Sequence, residues 1–292
     1  MSELKGSQGG ENIGTSARVW SVVKTVFAFA LFIVYMIPFL LVLFNSLKTK
    51  VNIIKTPLTL IDDAGPQIQN YVDAFNKMGY FQAFGNSLVI TGCSIVLLII
   101  CSSMCAYILV RRNYLACKIS YYLLISYMVV PFQVIMIPVL AIYGNEFHML
   151  NNRLILIIMN VAYGTGFATF LMYGFIKSSV PIALEEAALI DGAGTFKIYS
   201  SIVLPLLKPI LATNMILQTL GLWNDYLLPS LVLGKESLQT LPIRIRAFNG
   251  TFTSDYGLMM AALVMCVTPI IILFIFMQKY IVGGIVSGAV KE

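Results

Sequence analysis

The chain has 292 residues, of which 59% are hydrophobic and only 11% charged, with a mean hydropathy of +0.86. About a quarter of the residues of a soluble globular domain are charged, so this composition leaves too little polar surface for a water-soluble body and points to an integral membrane protein. The net charge of +6 comes with no basic run or patch, which argues against nucleic-acid binding.

Residues Ser2–Ser16 are polar and contain glycine, a composition that predicts disorder. Six apolar runs follow: Thr25–Phe44, Leu88–Val110, Ile119–Tyr143, Leu154–Ile176, Ile210–Leu233 and Leu258–Met277. Each is 20 to 25 residues long, enough to cross a hydrocarbon core of about 30 Å as a helix. Asp225 is the only Asp, Glu, Lys or Arg inside them. Backbone groups in lipid must pair internally, so the expected fold is all-α, with six transmembrane helices. The first run is too long for a signal h-region and no small-residue cleavage site follows it, so it is expected to be retained.

With the N-terminus cytoplasmic, 11 Lys and Arg fall on the inner side and 8 on the outer. The short Arg111-Arg112 to Lys118 turn is the best evidence for this orientation, because short loops follow the positive-inside rule best. The predicted layout is a cytoplasmic tail over 1–18, a six-helix transmembrane domain over 19–282, and a second cytoplasmic tail over 283–292. In the first outer loop, Ile68–Met78 reads as an amphipathic helix carrying Tyr71, Val72, Phe75 and Met78, with Asp73 and Lys77 paired at i, i+4. Five cysteines, an odd number set in or near apolar runs, read as packing residues and not as a disulfide framework. The prolines and glycines within the runs read equally as ordinary kinks or as hinges.

Between the fourth and fifth runs lies a charged insert, 180–204. Glu185, Glu186 and Asp191 fall within seven residues, and each would cost about 2.5–3.5 kcal/mol at a bilayer centre. The insert therefore sits at a membrane face. Pro181 opens one short helix at its first turn, and Gly192 suits a left-handed stop. A second helix over Thr195–Leu204 is expected to end at Pro205. Ile182, Leu189, Ile190, Phe196, Ile198 and Ile202 supply an apolar face suited to another protein's groove.

In the fifth run, Asn214, Gln218, Gly221 and Asp225 recur at i, i+4, i+7 and i+11, a single helical stripe with Trp223 and Asn224 beside it. Amides and a carboxylate there could hydrogen-bond hydroxyls, and Trp223 or Tyr226 could stack on a ring. Polar packing against a neighbouring helix is the plainer reading of the same stripe. Asn160, Tyr163 and Thr165 of the fourth run are candidates for the same cavity. The chain has no Gly-x4-Gly-Lys-Ser/Thr loop, no His-Glu-x-x-His and no Gly-x-Ser-x-Gly, so neither nucleotide hydrolysis nor an intramembrane hydrolase is expected of it. The lone His148 reads as a solvated loop residue, and no metal site is expected.

The pattern Glu-Ala-Ala-x3-Gly-x9-Ile-x-Leu-Pro is matched without a spacing error by Glu186-Ala187-Ala188, Gly192, Ile202, Leu204 and Pro205. This resembles the signature of permease subunits of binding-protein-dependent ABC importers. Leu222-Trp223-Asn224-Asp225-Tyr226-Leu227-Leu228-Pro229 and the tail from Gln278 to Lys291 are similar to the sugar branch, above all to the maltose-type second permease. The likeness covers nearly all of the chain beyond residue 20; Glu292 stands where a small residue is more usual. It implies the type I permease fold and a heterodimer with a second, similar permease. Two ATPase subunits would hold ATP and Mg, and an extracytoplasmic solute-binding protein would deliver a sugar. It further implies that Glu185, Glu186, Ala187, Ala188, Asp191, Gly192 and Ala193 contact the ATPase, helped by the tail Gly283–Glu292. The loop carrying Asn249, Gly250, Thr251 and Phe252 would face the binding protein. Other solutes of the superfamily (glycerol phosphate, polyamines, phosphate), a secondary carrier and a non-transport scaffold stay open as alternatives.

Overall fold

The computed structural model describes residues 15–60, 62, 65–248 and 255–289; among these every regular element is helical. Four helices are long and apolar enough to cross a membrane unbroken: α1 (Thr15–Asn45), α4 (Tyr80–Arg111), α7 (Arg153–Ser179) and α14 (Tyr256–Ala289). The third and fifth apolar runs depart from the expectation of simple spans. The third consists of α5 (Leu115–Ser126), a 3-10 turn (Tyr127–Val129), α6 (Phe132–Leu140) and a π-helical turn (Ala141–Glu146), bent by 98° between its halves. The cause is Pro131: it forces Val130 out of helical geometry, to φ −80° and ψ 117°, and cannot donate to the preceding turn. The fifth run ends early. Helix α11 (Lys208–Asn224) stops before Asp225, and a separate short helix α12 (Leu227–Val232) follows. Six spans are reached only by counting each of two bent pairs as one, the second being Thr195–Leu206 with α11, bent by 74°.

The central contact is between α4 and α7, with α11 against both and α14 closing over α11. Small residues allow the close approach: Ser87, Thr91, Ser94, Ser102, Ser103 and Ala106 are buried on α4, and Gly166, Ala168 and Thr169 on α7. The Asn160 amide donates to Ser94 Oγ across the pair (3.3 Å). Pro269 interrupts α14 and, having no N–H, frees the carbonyl of Met265; the Tyr80 hydroxyl donates to that oxygen at 3.2 Å. Trp223 Nε1 donates to the next carbonyl, Cys266, at 3.1 Å. Pro269 is thus accommodated by a specific partner on α4. Helix α1 stands apart: every residue from Val19 to Leu40 is exposed except half-buried Met36.

At the end of the bundle where α4 begins, the connections fold into a cap. Helix α2 (Lys50–Lys55) takes Asp62 as its N-terminal acceptor, through the Thr49 N–H (2.6 Å) and Asn52 (2.5 Å). Lys48 is fully buried and donates to the Thr56 carbonyl (2.8 Å) and Thr59 Oγ1 (3.1 Å). The predicted amphipathic helix is present as α3 (Gln69–Lys77), but Ala74 and Met78 are its buried residues while Val72 is exposed. Asp73 accepts from Gln69 (2.7 Å), and Lys77 lies over the Phe248 ring (5.4 Å), so the expected Asp73–Lys77 pair does not form. Gly79, at φ +58°, reverses the chain into α4. The second long connection carries α13 (Leu241–Arg244), and Arg244 Nε donates to the Met78 carbonyl (2.8 Å). Asn86 on α4 donates to the carbonyls of Ser237 (3.0 Å) and Gln239 (2.9 Å). Asn86→Ala removes both bonds from a buried donor to acceptors that are exposed or half-buried, and is expected to cost about 0.5–1.5 kcal/mol, read as a lowered unfolding midpoint in detergent and faster proteolysis at 234–248.

Candidate functional site

The insert lies at the opposite end of the bundle. Helix α8 (Ile182–Ile190) starts after Pro181, which occupies the N-cap and not the first helical position expected for it. Gly192 adopts φ +78° and closes α8 with paired bonds: the Gly192 N–H donates to the Leu189 carbonyl (3.0 Å) and the Ala193 N–H to that of Ala188 (2.9 Å). The second helix does not end at Pro205. Short helices α9 (Thr195–Ile198) and α10 (Leu204–Leu206) run on through a π-helical turn over Tyr199–Val203, and the bend falls at Leu207. Pro209 then occupies the first turn of α11, where a missing N–H is harmless.

The apolar face predicted for the insert divides in two. Ile198 is buried and Ile202 half-buried, in a core with Tyr107, Met172, Ile176 and Tyr199. Leu189 (64% exposed), Ile190 (87%) and Phe196 (70%) point outward. Glu186, Ala187, Asp191 and Gly192 are exposed, and Ala188 and Ala193 are half-buried. Glu185 is the exception among the expected contact residues: it is buried against its own chain at 8% exposure. Its carboxylate accepts from Arg111 Nε (2.8 Å) and the Tyr107 hydroxyl (2.9 Å), and forms an ion pair with Arg111, whose Nη2 lies 2.7 Å away. Arg111 and Tyr107 were not distinguished by sequence reasoning, since they lie more than seventy residues from their partner.

A cavity of about 510 Å³ opens between α6, α7, α11 and α12, at the break in the third run. Its polar wall is Tyr127, Gln133, Asn160, Tyr163, Gln218 and Asp225. Asp225 is the only charged residue in its lining among the described residues, and one of its carboxylate oxygens accepts from the Leu227 N–H (3.0 Å). The volume falls within the range of about 300–1,000 Å³ common for small-molecule sites. Tyr127 shapes the wall: its hydroxyl donates to the Tyr163 carbonyl and accepts from the Gly166 N–H (3.1 Å), entering the backbone ladder of α7.

Of the polar stripe on α11, Gln218, Gly221 and Asp225 reach the cavity, and Gln218 also donates to the Gly164 carbonyl (3.2 Å). Asn214 is fully buried and donates to the Ala168 carbonyl (3.3 Å), the interhelical packing role. Trp223 does not face the cavity: it packs edge-on to Phe84 and bonds α14. Asn224 donates to the Leu220 carbonyl of its own helix and is exposed. Asn160 and Tyr163 line the cavity, whereas Thr165 turns back to the Val161 carbonyl (2.5 Å). Asn249, Gly250, Thr251 and Phe252 lie outside the described residues, as do the side chains of the tail from Gly283. The five cysteines are free thiols, and among the described residues no three His, Cys, Asp or Glu come together.

Residues 98–286, which include the whole insert and the cavity-lining parts of α7, α11 and α12, match the family model for the inner membrane component of binding-protein-dependent transport systems. The chain belongs to this family. It is 39% identical over 268 residues to a probable starch degradation products transport system permease protein of Thermoanaerobacterium thermosulfurigenes, spanning 92% of this chain and 96% of that one. It is 38% identical over 276 residues to the melibiose/raffinose/stachyose import permease of Bacillus subtilis, spanning 94% and 97%. In fold, it matches a chain of a bacterial ABC transporter involved in import of the acidic polysaccharide alginate, with a TM-score of 0.75 at 20% identity, over 91% of this permease and 98% of that chain. This permease is therefore a multi-pass membrane subunit of an importer that works with a solute-binding protein, and it is not itself an enzyme.

Proposed function

We propose that this permease is one of two membrane subunits of an ATP-driven importer for neutral sugars or oligosaccharides, and that its insert is the contact for a cytoplasmic ATPase. The observation that carries the coupling role is the exposed face of Leu189, Ile190 and Phe196 around a glycine-closed bend. An apolar surface of this kind, flanked by Glu186 and Asp191, is suited to a groove in a soluble partner and unsuited to lipid. The insert end is then cytoplasmic, and the capped end faces the binding protein. A similar second permease completes the pathway; ATP and Mg are held by two ATPase subunits.

The cargo class rests on the two sugar permeases and on the cavity. Gln133, Asn160, Gln218 and Tyr163 offer donors and acceptors to hydroxyls. Among the described residues no cation lines the cavity to neutralise a phosphate or uronate, and Asp225 would repel one. Glycerol phosphate, the runner-up within the superfamily, is disfavoured on that ground.

The test is reconstitution of the complex, purified by a tag on this chain together with its partner permease, ATPases and binding protein. Proteoliposomes holding MgATP are expected to take up labelled raffinose or maltotriose only with binding protein outside. Uptake by this chain without ATPases would make it a secondary carrier and overturn the reading. Within the complex, Gln218→Leu is expected to reduce uptake about tenfold or more, since a buried site built for hydroxyls loses its polar partner.

A further inference from the structure

Helix α8 is fastened to the rest of the chain by one buried residue, Glu185. One guanidinium takes that carboxylate and the bundle together: Arg111 donates through Nε to Glu185 Oε1, forming an ion pair with it, and through Nη2 to the carbonyl of Val180 (2.8 Å), the residue at which α7 ends. Arg111 is the last residue of α4. Three helix ends therefore meet on one side chain, with the Arg111 and Glu185 side chains 15% and 10% exposed. One turn up α4, Tyr107 donates to the other carboxylate oxygen and packs on Tyr199 at 5.5 Å between rings. The Tyr199 hydroxyl in turn shares a hydrogen bond with Ser103 Oγ (2.7 Å). Both arms of the insert are thus tied to the same face of α4.

Without the Glu185 ties, α8 would be held by its two chain junctions, Val180 and Pro181 in extended geometry and the 191–194 bend into α9, and by half-buried Ala188 against the core. A force on the exposed face of α8 would then reach the bundle only by way of α9 and the packing around Tyr199, and not at the Arg111 end of α4. With them, the force reaches α4, which packs along α7 and places Leu98 against Gly164 at the cavity wall. We propose that Arg111 is a positioning residue for energy coupling: it locks α8 to the end of α4, so that displacement of the insert by the ATPase moves the α4–α7 pair. The proposal rests on the reading of the insert as the ATPase contact, and charge-assisted bonds shared among three elements are the kind of two-arrangement link through which such coupling is carried.

The test uses the intact complex in lipid nanodiscs and hydrogen–deuterium exchange with and without Mg–AMP-PNP, so that no knowledge of the cargo is needed. In the unsubstituted complex, nucleotide is expected to change exchange both in the insert, 182–206, and at the end of α4, 104–113. In Arg111→Ala the insert should still respond while the response at 104–113 is lost. Glu185→Gln, which keeps the shape and removes the charge, carries the same expectation and decides the matter if the alanine variant does not assemble. Arg111→Lys retains an ion pair and should retain the response; a lysine variant that behaves like the alanine one would overturn the ion pair as the link. A full response at 104–113 in Arg111→Ala or Glu185→Gln would overturn the proposal. Silence of 182–206 in the unsubstituted complex would instead overturn the ATPase-contact reading beneath it.

Discussion

Gly166→Val is expected to abolish uptake and to lower the thermal midpoint of the purified permease, because it removes the seat of the broken third span. A Cβ at residue 166 would lie 2.6 Å from the carbonyl oxygen of Leu124 and against the ring of Tyr127. Leu124 is backbone of α5, so relief requires α5 to move away from α7. Overpacking of this kind costs about 1–3 kcal/mol or more. The displacement also breaks the hydrogen bond from the Gly166 N–H to Tyr127, adding about 1 kcal/mol. Tyr127, Met128 and Val130 then leave the cavity wall. The comparison is Gly174→Val, on the same helix, where a Cβ meets nothing within 4 Å and little change is expected. Uptake and midpoint unchanged in Gly166→Val would show that the contact is not needed for transport.

The second large effect is expected at Gly192, by a different physical route. A Cβ there meets no atom within 4 Å, so crowding is not the issue. The backbone sits at φ +78°, where a β-branched residue is strained by about 1–3 kcal/mol. Gly192→Val should therefore release the two bonds that close α8 and let its end fray. The bundle does not depend on that turn, so assembly and basal ATPase activity should survive. Transport per ATP hydrolysed is expected to fall about tenfold or more, within the usual span of a coupling free energy. Gly192→Asn tolerates a positive φ better and should fall between valine and the natural residue. Measuring both fluxes in the same proteoliposomes checks this; an unchanged ratio in the valine variant would remove Gly192 from the coupling path.

A third consequence concerns folding more than transport. Truncating Arg111 or Glu185 alone strands a buried charge, at a cost of about 3–5 kcal/mol. The pair's own contribution to stability is smaller than that figure, since desolvation offsets much of the attraction. Its role is to fix where α8 sits.

The amino-acid sequence by itself determined the membrane class, the place of the insert and the family, because each is written locally. Long apolar runs report lipid without reference to neighbours. The insert's glycine was legible for a similar reason, since a left-handed helix stop depends on three or four consecutive residues. The spacing rule on α11 was half sufficient: it placed Gln218 and Asp225 toward one cavity, but Asn214 lies too far along the helix to reach it, and Trp223 falls on the side that meets α14. The break at Pro131 was visible as a proline and not as a 98° bend, because a kink and a full turn differ only in what packs against them. Here that is the hydroxyl of Tyr127 lodged at Gly166. Tertiary structure turned Glu185 inward while leaving its neighbour Glu186, an acid of the same type, exposed. The deciding group, Arg111, is 74 residues away, and no periodicity connects residues whose meeting depends on how α4 and α7 pack.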